Sequence, residues 1–453
     1  MRILLVRPQP AKKTIGLQEV MICEPLELEY LGAYAKELGH QAFIVDLILE
    51  KKPLAYFIRK YDPDVVGITG YIAHVQRIKA YAAEVKKAKQ TCLVMVGGVH
   101  AEVVPEDFAS PNIDFIIKAN GLKTFGEIIT AIEKGLPTGG ISGVWENHLA
   151  CVKETSFTYP HPDRTLTERY RSKYYYMFHN PCALIKTSYG CPYDCKFCFC
   201  RRITDGKYFY RELEDIIAEL KSIPEEEVYI VDDDFLVDRA RLWEFCRLLE
   251  VHGIKKKYLI YGRADFIAAN EDVVKAFAEQ GLRAVIVGLE SGNEEELLKY
   301  NKRSTVQINE RAIAVLKKYN VECYGTFILG IDWDKRDFAN LTHWIKKLGI
   351  KFINLQPFTP LPGTEPFGEY QDQLLIPRKE YEKWDLAHLV VKPSRMSVRN
   401  YYWQILKVYY LVTMHPGNIL KMIRQYGFWE SLKLSLGASR ITWQYLLKIL
   451  TNG

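Results

Sequence analysis

What the chain lacks sets the first limits. No stretch reaches the roughly 18 uninterrupted apolar residues of a membrane span, so an integral membrane protein is not expected. The opening Met1-Arg-Ile-Leu-Leu-Val-Arg7 is too short and too early for a secretory leader and reads as a first strand. Ten cysteines without such a leader point to a reducing cytoplasm, not to a disulfide framework. Those cysteines also lack the usual marks of zinc. There is no second CxxC-type pair, and the nearest histidine upstream of the cysteine-rich stretch is His179. Acidic residues are nearly missing from the end of the chain, where Pro393 to Gly453 holds eight Lys and Arg against Glu430 alone. That segment carries +7 while the whole chain carries +6, which leaves the rest close to neutral. At 453 residues, 48% hydrophobic and 26% charged, the composition suits an ordinary globular protein of two or three domains.

What is present is organised around Tyr189-Gly-Cys-Pro-Tyr-Asp-Cys-Lys-Phe-Cys-Phe-Cys200. Cys191, Cys195 and Cys198 stand at CxxxCxxC spacing, and Cys200 follows. The stretch comes directly after the apolar run Cys182-Ala-Leu-Ile-Lys-Thr-Ser188, so it is a loop at the carboxyl end of a strand, where α/β folds place their chemistry. Thiolates this close suit a soft metal or an iron–sulfur cluster. Three cysteines on a four-iron cluster leave one iron open. The bland alternative is a zinc knuckle or a set of buried free thiols.

CxxxCxxC with Phe197 before its last cysteine resembles the signature of the radical S-adenosylmethionine (SAM) superfamily. The resemblance implies a [4Fe-4S] cluster on Cys191, Cys195 and Cys198, with Phe197 beside the cofactors. It further implies SAM held on the open iron and cleaved by one electron to a 5′-deoxyadenosyl radical. An external donor of the flavodoxin or ferredoxin type would supply that electron.

In the N-terminal third, strand and helix alternate. Ile3–Val6, Ala42–Asp46, Val65–Thr69 and Cys92–Val96 are continuous apolar runs, and the segment from Glu24 to Leu38 has helical spacing with Gly39 as its stop. Such runs predict a doubly wound parallel sheet with ligands at the strand ends. Those ends carry Gly67-Ile-Thr-Gly70 and Gly97-Gly-Val-His100, which equally suit tight turns. "EPLELEYLGAYAKELGH", "DPDVVGIT" and "VGGVHAEVVPEDF" are similar to the cobalamin-binding domain that precedes many radical SAM domains. The resemblance implies that Gly67, Thr69, Gly97, Gly98 and His100 border the corrin. Asp46-Leu-Ile-Leu-Glu50 lacks the histidine of the DxHxxG motif, so no lower axial histidine is expected. Asn120-Gly-Leu-Lys123 also departs from the family's acidic turn.

The resulting division is 1–143 for the Rossmann-like domain, 144–180 for an extended linker, 181–375 for a partial (β/α)6 barrel and 376–453 for a helical, basic and aromatic region. In the barrel, six strand-like runs end in polar residues. Asp232, Asp233 and Asp234 follow one of them. They suit a cation or a ligand ammonium, or an N-cap for the next helix. Arg263 suits a carboxylate and Glu290 suits ribose hydroxyls, with Ser291 beside it. "YIVDDDFLVD", "GLESGNEEELLKYNKRST" and "GTFILGI" resemble the SAM-binding strands of cobalamin-type members. On that resemblance Asp233 or Asp234 meets the SAM amino group, and Glu290 the ribose. Ile331-Asp-Trp-Asp334 departs from the family's usual turn.

The implied activity is methylation of an unactivated carbon through methylcobalamin, with a small-molecule or lipid substrate. Cyclisation, oxidation or rearrangement with the same cofactors is the main alternative. A methylthiotransferase acting on transfer RNA would need a different N-terminal domain, and a binding module without turnover fits the cluster motif poorly. Cys200 is either a spare thiol or a catalytic residue facing substrate. The tail reads as a helical cap over the barrel mouth, or as an interfacial surface giving peripheral membrane contact. Nucleic acid is not an expected partner, since no known module is present.

Overall fold

The computed structural model describes residues 1–16 and 19–451. Its first sheet is parallel and five-stranded, built from β1 (Arg2–Arg7), β2 (Gln41–Asp46), β3 (Val65–Thr69), β4 (Leu93–Gly97) and β5 (Phe115–Ile116) in the order 2-1-3-4-5. Ile3 to Val6 are fully buried, because helices cover both faces. Those helices include α1 (Leu26–Glu37), α2 (Leu54–Tyr61), α3 (Val75–Ala88), α4 (Val99–Val103) and α5 (Gly121–Glu133). Just beyond α1, Gly39 takes φ +85, as a glycine stop does. In this strand order the chain reverses direction across the sheet between β1 and β3, and the crevice at their carboxyl ends is the ligand position of doubly wound folds.

The second sheet has six parallel strands: β6 (Cys182–Ile185), β7 (Glu227–Ile230), β8 (Lys257–Gly262), β9 (Leu282–Glu290), β10 (Glu322–Leu329) and β11 (Phe352–Pro357). They lie side by side in chain order, and β6 does not pair with β11, so the barrel is open. Helices α6 (Leu213–Ser222), α7 (Arg239–Val251), α8 (Ala264–Ala269), α9 (Glu271–Glu279), α10 (Glu294–Lys299), α11 (Val306–Lys318) and α12 (Lys335–Leu348) form the outer layer. Alternation along the strands divides the core. Ile185, Val228, Ile260 and Val285 face these helices. Leu184, Tyr229, Leu259, Ile286, Tyr324 and Phe352 face the barrel interior.

Three helices end the chain: α13 (Val398–Val412), α14 (Pro416–Tyr426) and α15 (Phe428–Thr451). Pro416 opens α14, where its missing N–H costs nothing. The tail does not cap the barrel mouth. Tyr426 stacks on Phe178 at 3.8 Å and lies against Phe352, the first residue of β11, so α14 plugs the end away from the cysteine loop. The mouth faces the N-terminal sheet instead.

Segment 144–180 is more ordered than an extended linker. It has helical turns over Arg164–Lys173, and its Tyr175–Tyr176 pairs with Met21–Ile22. It also ties the two sheets together. Arg164 donates to Glu219 at 2.9 Å and to the Leu184 carbonyl at 2.6 Å, and Glu24 accepts from the Leu184 N–H at 2.6 Å. Tyr300, Phe358 and Trp384 share one apolar cluster with Val6, Ile68 and Val96, so the sheets are held as one body.

Candidate active site

The cysteine loop leaves β6 through a two-residue ribbon, Ser188–Tyr189 paired with Phe209–Tyr210. Gly190 follows at φ +77, and a Cβ there would lie 2.1 Å from the Lys207 carbonyl oxygen, so only glycine fits. The loop is then strapped to the segment after α10. The Lys196 N–H donates to the Tyr300 carbonyl at 3.1 Å, Asn301 to the Asp194 carbonyl at 3.2 Å, and Arg303 pairs with Asp194 at 2.9 Å. Phe197 meets Tyr300 edge to face at 5.8 Å. Asn301 and Arg303 both take positive φ, and such backbone is held only where its surroundings fix it.

All four thiols of the loop are half-buried. Burial pushes Cys191 up to about 12 and also raises Cys195. The Cys200 thiol bonds to Cys198, which holds Cys198 below the ordinary thiol range and drives Cys200 well above it. Two buried cations stand beside Cys195. Arg263 reaches its sulfur at 3.8 Å while lying 3.7 Å over the Tyr193 ring, and Lys302 is the other. Positive charge at this point suits thiolates and an anionic cluster.

The remaining barrel positions are more committed to the protein than their sequence suggested. Asp232, Asp233 and Asp234 do not converge on a cation. Asp232 is buried and accepts from the Thr187 N–H and hydroxyl and from Ser188. Asp233 accepts from the Gly190 N–H at 3.1 Å, pairs with Lys186 at 3.7 Å and is exposed. Asp234 accepts from the Leu236 N–H, but its buried Oδ2 has no partner, and burial pushes the carboxyl up to about 8. None of the three caps the next helix, a role taken by Asp238. Among the described residues, no three His, Cys, Asp or Glu are placed to hold a single metal ion, whereas the three thiolates of a four-iron cluster would each sit on a different iron. Arg263 pairs with Asp265 and donates to the Lys302 carbonyl; Glu290, at φ +60, pairs with Lys302 at 2.7 Å. Ser291 accepts from the Asn293 N–H and donates to Glu296, within a local turn.

On the facing sheet the strand ends also sort themselves. Gly67 lies within β3, where a Cβ would strike Leu5 at 2.9 Å, so it serves sheet packing. Gly98, at φ +102, has room for no side chain: a Cβ would lie 2.8 Å from Thr69 Oγ1 and 3.1 Å from Gly70. Thr69, Gly70, Gly97 and Gly98 therefore form one closely apposed pair of strand-end turns. His100 departs from its expected place beside a ligand. It is buried, and its Nε2 bonds Asp107 at 2.9 Å, which also accepts from Arg378 and Tyr381. That network joins the sheet to the segment after the barrel.

The two strand-end faces meet across a cleft, at whose edge Phe197 of the cysteine loop packs against the cluster that holds Val6, Ile68, Val96 and Ala101 of the N-terminal sheet. Tyr71, just past β3, is 60% exposed, yet its hydroxyl is desolvated and pushed up to about 12. It lies within electrostatic reach of Glu27, Arg7, Cys23 and Tyr261. Tyr261, on β8, senses Cys23, Cys200 and Asp233 in turn. A side chain both accessible and desolvated lines an internal cleft, not an outer surface. Sequence reading missed Arg7, Cys23, Tyr71, Tyr261 and Lys302. The available signal was position, since Arg7, Tyr71 and Tyr261 all stand at the carboxyl ends of strands.

A thiol-bearing loop at the mouth of an open parallel barrel, faced by a doubly wound sheet across a polar and aromatic cleft, defines a two-domain cofactor enzyme. Residues 185–345 match the Radical SAM superfamily and residues 13–129 match the B12 binding domain. The chain thus carries a B12 binding domain ahead of a radical SAM domain. It is 27% identical to the hopanoid C-3 methylase of Methylococcus capsulatus, over 90% of this chain and 79% of that protein. It is 24% identical to the anaerobic magnesium-protoporphyrin IX monomethyl ester cyclase of Rubrivivax gelatinosus, over 88% and 74%. The fold matches the radical S-adenosylmethionine methyltransferase TsrM from Kitasatospora setae with a TM-score of 0.68 at 17% identity, covering 98% of this chain and 99% of that one.

Proposed function

We propose that the protein methylates an unactivated carbon of an apolar small molecule, using a [4Fe-4S] cluster, SAM and cobalamin. The observation that carries this reading is the cleft, because it sets the cysteine loop against the strand ends of the B12 binding domain. In the reading, Cys191, Cys195 and Cys198 hold the cluster, and Phe197, Asp233, Asp234, Arg263, Glu290 and Ser291 surround SAM. The unpartnered Oδ2 of Asp234 is open to a donor on a ligand. The turns of Thr69, Gly97 and Gly98, with Tyr71, border the corrin. When bound, these groups supply one-electron cleavage chemistry and a methyl carrier. The chain's own part is to position them and to exclude water. Support for an apolar substrate comes from the accessible aromatic rings at the strand ends, Tyr71 and Tyr261. An outside donor of the flavodoxin or ferredoxin type would supply electrons.

The similarity to a cyclase favours a second reading, in which the same cofactors drive ring closure without methyl transfer. SAM bearing a deuterated methyl group separates the two. An acceptor that gains the labelled methyl is the expected product. An acceptor altered with no label incorporated overturns methyl transfer in favour of the second reading.

A further inference from the structure

Helix α15 has two faces, and only one is accounted for by the fold. Ser431, Gly437, Tyr445 and Ile449 are buried. Gly437 rests so closely on the chain that a Cβ would lie 1.9 Å from the Glu19 carbonyl oxygen. On the opposite face stand Trp429, Leu432, Leu436, Trp443, Leu447 and Leu450, between 38% and 77% exposed. Their spacing of three, four and seven residues puts them on one narrow stripe, about 32 Å long at 1.5 Å per residue.

The charge on the two helices is nearly all of one sign, although Arg440 is paired with Glu19 of the neighbouring segment. Lys433 and Arg440 border it, Lys421 and Arg424 are exposed on the adjoining α14, and Glu430 is the one acidic residue of the two helices. Among the described residues, no helix is long and apolar enough to cross a membrane. A second copy of the chain is a poor occupant, because the +7 segment would be set against itself. Tryptophan and leucine on a convex apolar stripe, flanked by lysine and arginine, match an interfacial helix on an anionic bilayer.

We propose that α15 docks the enzyme on the surface of an anionic lipid bilayer, with the stripe in the headgroup–acyl boundary and Lys433, Arg440, Lys421 and Arg424 on the lipid phosphates. The helix is well placed for this. It lies over the ribbon of Met21–Ile22 and Tyr175–Tyr176, with Lys433 4.1 Å over the Tyr175 ring and Arg440 paired with Glu19 at 2.8 Å. That ribbon leads directly into Cys23 on the cleft. Docking through α15 therefore holds one edge of the cleft beside the bilayer. The proposal stands apart from the reaction, since vesicle binding needs no turnover.

The test is flotation of the full-length, reconstituted protein with vesicles of phosphatidylcholine alone or mixed with phosphatidylglycerol. The expected result is flotation with the mixed vesicles only, weakening as salt rises. Trp429→Ser with Trp443→Ser, and separately Leu436→Glu, should each lower the bound fraction at least tenfold. Lys433→Gln and Arg440→Gln should lower it about fivefold each. Trp243→Ser, on the exposed face of α7, should leave it unchanged. Unaltered circular dichroism and cluster absorbance show that each variant is folded. Absence of flotation at low salt would overturn the proposal, as would flotation indifferent to the stripe. So would a dimer in sedimentation that Leu436→Glu converts to monomer, because the stripe would then belong to a second copy.

Discussion

Glu290 and Lys302 show how a residue's setting changes its meaning. The sequence placed Glu290 at a strand end and left Lys302 unremarked. In the structure both are buried, 2.7 Å apart, beside Cys195. Removing one partner leaves a buried charge uncompensated, which costs about 3 kcal/mol or more. Glu290→Gln should lower stability by that amount in urea unfolding, and adding Lys302→Met should recover most of it. His74 makes a pH-dependent case. Burial, with Arg7 and Arg77 nearby, pushes it down to about 4, and its Nδ1 accepts from the Tyr71 N–H. Between pH 6.5 and 4 the unfolded chain takes up a proton that the folded one refuses, so stability falls as pH falls through that window and is unaffected above it. His74→Asn should remove roughly 1 kcal/mol of the loss between pH 7 and 5, read from urea midpoints of the apoprotein.

At the level of elements, continuous apolar runs were a reliable guide, because a parallel sheet buried on both faces leaves no polar side to disguise the strand. Ile3–Val6, Ala42–Asp46 and Val65–Thr69 all fall on observed strands, at most one residue out at either end. Turns were less legible, since a glycine pair at a strand end is equally a loop or a cradle. Gly98 shows what the sequence could not: its φ and the apposition of Thr69 together exclude any side chain. Gly98→Ala should cost about 2 kcal/mol in urea unfolding, and it should release cobalamin on gel filtration where the wild type retains it. Segment 144–180 was hidden for the opposite reason. Its Arg164 and Tyr174 look like linker residues until Glu24, Glu219 and Asp46 are brought beside them from distant parts of the chain.

Across the whole molecule, the cysteine spacing and the alternation of strand and helix made the two halves legible, while their mutual placement was not. The facing of Tyr71 and Tyr261 depends on contacts between residues hundreds of positions apart, which no local pattern carries. The same holds for the tail, whose composition was plain but whose position at the far end of the barrel was set by the Phe178–Tyr426 stack. The most direct measurement follows from the facing of the two halves. The protein is reconstituted anaerobically with iron, sulfide and cobalamin, given SAM, a reductant and an apolar acceptor extract, and assayed by mass for 5′-deoxyadenosine and S-adenosylhomocysteine. The expected result is both products from the wild type and loss of the deoxyadenosine in Cys198→Ala. Deoxyadenosine that persists in Cys198→Ala would contradict the assignment of the three-cysteine cluster.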